Sequence, residues 1–335
     1  MGERLVDSYG RRIRTLRVSL TDQCNFRCVY CMPPGRLPTV SKPKYLTTAE
    51  ITRFVGIAAR LGVSRCRLTG GEPLLRKEVV DVARSLKRVA GMREISMTTN
   101  GSLLTHFAKP LREAGLDRLN ISLDSLDARR FEDISRSSQY GRVLAGIETA
   151  VKLGFPVKLN VVVIRGMPDE EVFEFVRMAV DYDMDVRFLE FMPLCGSGCE
   201  AERVYPVGEV RELVRSRFDL TELPRGDRPA EAFSIGGGRG RIGFIASLSE
   251  PFCDTCSRMR LTADGNIRPC LFSDRQYPVG HLLKAGAPDE ELINAVRLAV
   301  WNKVAGNEFA KDPFRSGETT RREIRKGPLI RSIGG

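Results

Sequence analysis

Residues 15–20 alternate polar and apolar side chains (Thr15-Leu16-Arg17-Val18-Ser19-Leu20), a period of two that predicts a strand with one buried face. At Thr47 or Thr48 the period changes: a capping hydroxyl is followed by Glu50, and Ile51, Phe54, Val55, Ala58 and Ala59 share one helical face until Gly62. Residues 65–69 return to a strand pattern, run into Gly70-Gly71-Glu72-Pro73, and give way to a helical pattern over 78–89. The unit then repeats. Strand 94–99, turn Asn100-Gly101 and helix 103–114 lead to strand 118–123, which ends at Asp124 and Ser125. A helical stretch at 141–153, strand 157–164, helix 169–180 and strand 186–191 follow, about six βα units in all.

Such alternation implies a parallel sheet with right-handed crossovers, whose chemistry gathers at the C-terminal ends of the strands. The cysteine-rich segment after the first strand, Gly70–Pro73, Thr98–Gly101, Ser122 and Met192 all fall at those ends, so one site is expected. Past the turn-rich stretch 224–229 the βα rhythm stops, and a boundary is placed there, dividing residues 1–225 from 226–335. Gly236-Gly237-Gly238 lacks a following Gly-Lys-Ser/Thr and reads as a hairpin turn, not a phosphate cradle.

Composition narrows the setting. The chain has 335 residues, 42% of them hydrophobic, enough for one large α/β domain with a smaller companion. No run of about 18 apolar residues occurs and the first residues are charged, so no membrane span or signal peptide is expected and a cytoplasmic location is. Lys and Arg total 53 against 42 Asp and Glu, a net +11 that attracts anions, either nucleic acid or a small polyphosphate. With no RNP-like aromatic motif, no C2H2 finger and no long basic run, a nucleic-acid module is not expected.

Six of the nine cysteines fall in two clusters. In a reducing compartment they are metal ligands or free thiols more readily than disulfides. Cys24, Cys28 and Cys31 are spaced so that three thiolates can occupy three corners of a cubane iron–sulfur cluster, leaving one iron open to an exchangeable ligand. A zinc knot is the alternative, one cysteine short of the usual pattern. Cys253 and Cys256 precede a tight turn at Asp264-Gly265 that would fold Cys270 back toward them, giving a second three-thiolate set. Zinc weighs more heavily there, because CxxC at a hairpin resembles half a zinc ribbon. Cys66 reads as a small core residue, Cys195 and Cys199 as free thiols or a reversible disulfide, and His106 and His281 lie outside any ligand motif.

Cys24-x3-Cys28-x2-Cys31 after a first strand, with Gly70-Gly71-Glu72-Pro73 after the second, resembles the signature of radical S-adenosylmethionine enzymes. Three further features narrow the resemblance to the GTP 3′,8-cyclase family of molybdenum cofactor biosynthesis. They are Leu16-Arg17-Val18-Ser19-Leu20-Thr21-Asp22, Cys253-x2-Cys256-x13-Cys270 enclosing Arg258-Met259-Arg260, and a terminal Gly334-Gly335. It implies an incomplete (β/α)6 TIM-type barrel with a C-terminal iron–sulfur domain and two [4Fe–4S] clusters. The first cluster would reduce S-adenosylmethionine to a 5′-deoxyadenosyl radical, and the second would hold the guanine of GTP. Tyr30, Gly71, Ser122 and Met192 fall at positions implied to contact S-adenosylmethionine. Arg17, Arg67, Thr98, Lys158, Arg187, Arg258, Met259 and Arg260 fall at positions implied to bind GTP, and Gly334-Gly335 at a tail implied to enter the active site. An external one-electron reductant, a functional link to cyclic pyranopterin monophosphate synthase, and a monomer or homodimer complete the expectation. Two rivals remain: a radical S-adenosylmethionine enzyme that modifies a peptide or tRNA, and a zinc-bearing nucleic-acid-binding protein.

Overall fold

The computed structural model describes residues 4–32, 45–192, 201–226 and 229–306. Its first part is the expected alternation: β1 (Thr15–Ser19), α1 (Thr48–Arg60), β2 (Arg65–Thr69), α2 (Val79–Lys87), β3 (Glu94–Thr99), α3 (Leu104–Glu113) and β4 (Arg118–Ser122). It continues through α4 (Ala128–Ser135), α5 (Tyr140–Lys152), β5 (Val157–Val163), α6 (Asp169–Asp181) and β6 (Met184–Glu190). The start of α1 follows from its sequence: Thr47 Oγ1 accepts from Glu50 N–H at 3.2 Å, and the Glu50 carboxylate accepts from Thr47 N–H at 2.7 Å. The short helix α4 was not expected. Asp127 caps it by accepting from Arg130 N–H at 2.7 Å, but it buries only Phe131 and Ser135, too few positions to register as a period.

Strands β1 to β6 pair in chain order and in parallel. Their helix-facing side chains, among them Leu16, Val18, Leu68, Met97, Leu119, Ile121, Leu159 and Val161, are wholly buried. Each such burial contributes about 1.5–3 kcal/mol, so the sheet–helix layer holds the fold. The alternate side chains point to the other face, and β5 and β6 show the strict buried/half-buried alternation this requires.

The later chain is α7 (Val207–Arg215), β7 (Leu220–Leu223), β8 (Glu231–Ile235), β9 (Arg241–Ile245), β10 (Arg258–Leu261), β11 (Asn266–Arg268), β12 (Tyr277–Pro278), α8 (Gly280–Lys284) and α9 (Asp289–Trp301). It lengthens the same sheet at both edges. β9 adds in parallel beside β6 and carries β8 and β7 antiparallel, while β10 adds in parallel beside β1 and carries β11 and β12 antiparallel. The position 225/226 falls inside the β7–β8 hairpin. The result is an incomplete (β/α)6 barrel whose two flanks are completed by C-terminal strands. No helix among the described residues is long and apolar enough to cross a membrane.

Candidate active site

The loop after β1 is held from three sides. Gly71 N–H donates to Thr21 O at 2.7 Å and Glu72 N–H to Gln23 O at 2.7 Å, so the loop after β2 lies directly against residues 21–23. A Cβ on residue 71 would sit 2.0 Å from Gln23 O, an approach only glycine permits. Arg27 N–H and Val29 N–H donate to the carbonyls of Ser135 and Ile134 at 3.0 and 2.9 Å, docking the loop on the end of α4, and Phe26 packs edge-on to Phe131. From β3, Asn100 donates to Asn25 Oδ1 at 2.8 Å, and its amide nitrogen lies 4.0 Å from Cys24 Sγ.

Two buried carboxylates brace this arrangement. Glu72 accepts from Leu74 N–H (3.0 Å), Thr99 Oγ1 (2.8 Å) and Asn100 N–H (2.7 Å), and burial pushes its pKa up to about 7. Asp124 accepts from Tyr30 Oη at 2.6 Å and from Val162 N–H at 2.9 Å, and burial pushes it up to about 6. Burial, then Asp124 and the neighbouring thiols Cys31 and Cys24, drive the Cys28 thiol well above its ordinary value. Burial raises the Cys24 thiol as well, so both favour the protonated form, and a metal centre would convert them to thiolates.

The second triad is built where β10 meets the β11 hairpin. Cys256 N–H donates to Cys253 O at 3.1 Å, and the turn at Thr262–Asn266, closed by Asn266 N–H to Thr262 Oγ1 at 2.8 Å, returns the chain to Cys270. Burial alone would raise the Cys256 thiol, but the Arg258 guanidinium and the Lys303 ammonium bring it down to about 6.

Both triads line one cavity of about 1030 Å³. Strand register explains its charge: Arg260, Arg17 and Arg67 are neighbours across β10, β1 and β2, and Lys158 lies opposite Asp185 on β6, with which it pairs. Burial and mutual repulsion lower these cations. Arg17 is lowered well below its ordinary value by burial, then by Arg260 and Arg67; Arg67 falls to about 9, Arg260 to about 10 and Lys158 to about 8. Neighbouring cations that lower one another favour a bound anion, and a polyphosphate is one such ligand.

Tyr30, Gly71, Ser122, Met192, Arg17, Arg67, Thr98, Lys158, Arg187, Arg258 and Arg260 all line this cavity together with the six cysteines. Met259 does not; it is wholly buried in the core, because alternation along β10 turns it away from its two arginine neighbours. Gly334, Gly335, Cys195 and Cys199 lie outside the described residues. Cys66 is a core residue, its thiol pushed up to about 12 by burial, and His106 and His281 are exposed and away from the cavity.

Sequence reasoning placed Asn100 at the site only as part of Thr98–Gly101, and assigned no role to Asp124, Asn160 or Lys303. Asn160 had a signal: it stands two residues beyond Lys158 on the same strand face. Its Oδ1 and the Thr98 hydroxyl are buried with no hydrogen-bond partner among the described residues, as groups awaiting a ligand would be. Also among the described residues, no three His, Cys, Asp or Glu side chains converge as a single-ion site would require. A cubane places each thiolate on its own iron, so soft thiols set apart around an opening fit it.

A sequence profile of the Radical SAM superfamily matches residues 18–179, and one described as Molybdenum Cofactor Synthesis C matches residues 184–309. The chain is 43% identical to the GTP 3′,8-cyclase of Streptomyces coelicolor over 90% of each chain. It is 42% identical to that of Moorella thermoacetica, over 89% of this chain and 94% of the relative. It is also 42% identical to human molybdenum cofactor biosynthesis protein 1, over 89% of this chain and 48% of that protein, so it spans about half the length of such animal relatives. In three dimensions it resembles Streptococcus suis SuiB, with a TM-score of 0.62 at 14% identity over 87% of this chain and 69% of the other. It also resembles anSMEcpe with bound AdoMet, with a TM-score of 0.59 at 15% identity over 96% of this chain and 88% of the other; at such identities the likeness concerns the fold alone.

Proposed function

Because the chain belongs to the GTP 3′,8-cyclase family of the radical S-adenosylmethionine superfamily, we propose that it is a lyase converting GTP to (8S)-3′,8-cyclo-7,8-dihydroguanosine 5′-triphosphate for molybdenum cofactor biosynthesis. The observation that carries this reading is the shared cavity, where two thiol triads and a crowd of buried cations face the same space. Cys24, Cys28 and Cys31 would hold one [4Fe–4S] cluster and Cys253, Cys256 and Cys270 a second; with S-adenosylmethionine bound, the first supplies one-electron reductive cleavage to a carbon-centred radical.

The protein's own part is to bind and orient. Gly71, whose missing Cβ lets the loop after β2 lie against residues 21–23, lines the cavity with Tyr30, fixed by Asp124, and with Ser122 and Met192, and these four would contact the S-adenosylmethionine. Arg17, Arg67, Lys158, Arg187, Arg258 and Arg260 would pair with the triphosphate, and the Thr98 hydroxyl and Asn160 carbonyl would take ligand hydrogen bonds. Holding both small molecules in one walled space converts an encounter into an oriented reaction and keeps a reactive radical from water. Met259 would contribute through its strand, holding Arg258 and Arg260 in phase. Gly334 and Gly335 are read as a tail that enters the site; a variant lacking both should turn GTP over more slowly than the full chain.

A cytoplasmic setting, an external one-electron reductant and a functional link to cyclic pyranopterin monophosphate synthase belong to the same reading. The test is anaerobic incubation of the iron-loaded protein with GTP, S-adenosylmethionine and reductant, followed by mass-spectrometric identification of the nucleotide. Cleavage of S-adenosylmethionine with GTP recovered unchanged would overturn the substrate assignment.

A further inference from the structure

Lys303 follows α9 and is only 3% exposed, an unusual place for an ammonium group. Its Nζ donates to the carbonyl of Arg258 at 3.0 Å and to the carbonyl of Pro269. Arg258 stands two residues after Cys256, and Pro269 immediately precedes Cys270. One side chain from a third stretch of chain thus ties together the two arms that bear the second triad.

Arg258 and Lys303 act on that triad as cations, whereas the first triad has buried carboxylates and one cation, Arg27, beside it. Arg268, wholly buried and opposite Arg260 in strand register, donates to Ser273 O, while its Nε and Nη1 have no partner among the described residues. The first triad instead faces the buried carboxylates of Glu72 and Asp124. A buried ammonium is costly unless an anion compensates it, and a cubane held by three thiolates carries about −1 in its 2+ state.

We propose that Lys303 is a positioning residue for the second triad: it staples the Cys256 arm to the Cys270 arm and sets a positive charge beside the cluster those thiols would hold, raising that cluster's reduction potential. The inference rests on reading the second triad as a cluster site. A fixed positive charge favours the reduced, more negative state of a cluster, and outer groups that orient ligands also govern how firmly the metal is kept.

The full-length chain is reconstituted anaerobically with iron and sulfide, in the wild-type form and with Cys24, Cys28 and Cys31 all changed to Ser so that only the second cluster is observed. About four irons in the second form establish the cluster site, and none would overturn the reading beneath the inference. Lys303→Met in that background is expected to lower the midpoint potential in an EPR-monitored titration and to release iron to a chelator about tenfold faster. Lys303→Gln, which keeps a donor for the carbonyls but no charge, separates the two effects: it should retain iron and still show the lower potential. If Lys303→Met fails to assemble the cluster while the same change in the wild-type chain leaves the first cluster's four irons in place, the staple is supported. Should the Met variant not fold at all, Lys303→Gln decides alone. A cluster retained in either variant with unchanged potential and unchanged iron release overturns the proposal.

Discussion

Lys158 carries the clearest pH signature of any residue in the cavity. Burial and Arg187 hold it down to about 8, so the free protein carries an ammonium there below pH 8 and a neutral amine above it. A bound triphosphate favours the ammonium. Binding should therefore take up a proton near pH 8, and GTP affinity should fall as pH rises beyond it, by up to about tenfold per unit for one coupled group. Calorimetry at pH 8 in two buffers of different ionisation enthalpy measures that uptake directly; none would mean Lys158 does not meet the phosphates. Lys158→Arg should flatten the decline. At Tyr30 the expectation concerns stability. Tyr30→Phe leaves a buried oxygen of Asp124 without its 2.6 Å donor and should destabilise the metal-free chain by about 1–3 kcal/mol, read as a shift in its urea midpoint.

Among elements, the loops at the strand ends are more constrained than the helices around them. Gly71→Ala must push the loop after β2 off residues 21–23, because its Cβ would meet Gln23 O at 2.0 Å. Overpacking of this kind costs about 1–3 kcal/mol, so S-adenosylmethionine should bind about tenfold more weakly. GTP binding, which is proposed to rest on strand side chains and not on this loop, should change little; equal losses for both ligands, measured by equilibrium binding, would show a global rather than local effect. The helix α4 makes the same point from the other side. It is short and buries only Phe131 and Ser135, yet its last carbonyls, on Ile134 and Ser135, receive the N–H groups of the first cysteine loop. Its purpose is visible only in contact with that loop.

At the scale of the molecule, the C-terminal strands are part of the barrel wall. Removing everything after residue 192 would expose both β1 and β6 as open edges and take away Arg258, Arg260 and the thiols of Cys253, Cys256 and Cys270. Unpaired parallel edges invite association, so the truncated chain should aggregate on size-exclusion chromatography. A monodisperse, folded monomer would show that β9 and β10 are dispensable to the wall. Much of this architecture was legible in residue order, since six strands and their helices announced themselves by period, and the two thiol triads by spacing. The placement of β9 and β10 on opposite edges was not, because no local pattern says which neighbour a strand will choose.

Residue order alone therefore settled the chemistry on offer: soft thiols in threes, glycines where backbones must touch, and a surplus of arginine. Spacing and side-chain type are local properties, and they survive without a fold. Only the tertiary structure decided that both triads open on one cavity, that Met259 turns into the core while its neighbours face the site, and that Lys303 bridges two distant arms. Those outcomes depend on strand register and burial, in which residues far apart in the chain share a hydrogen bond or lose their water together.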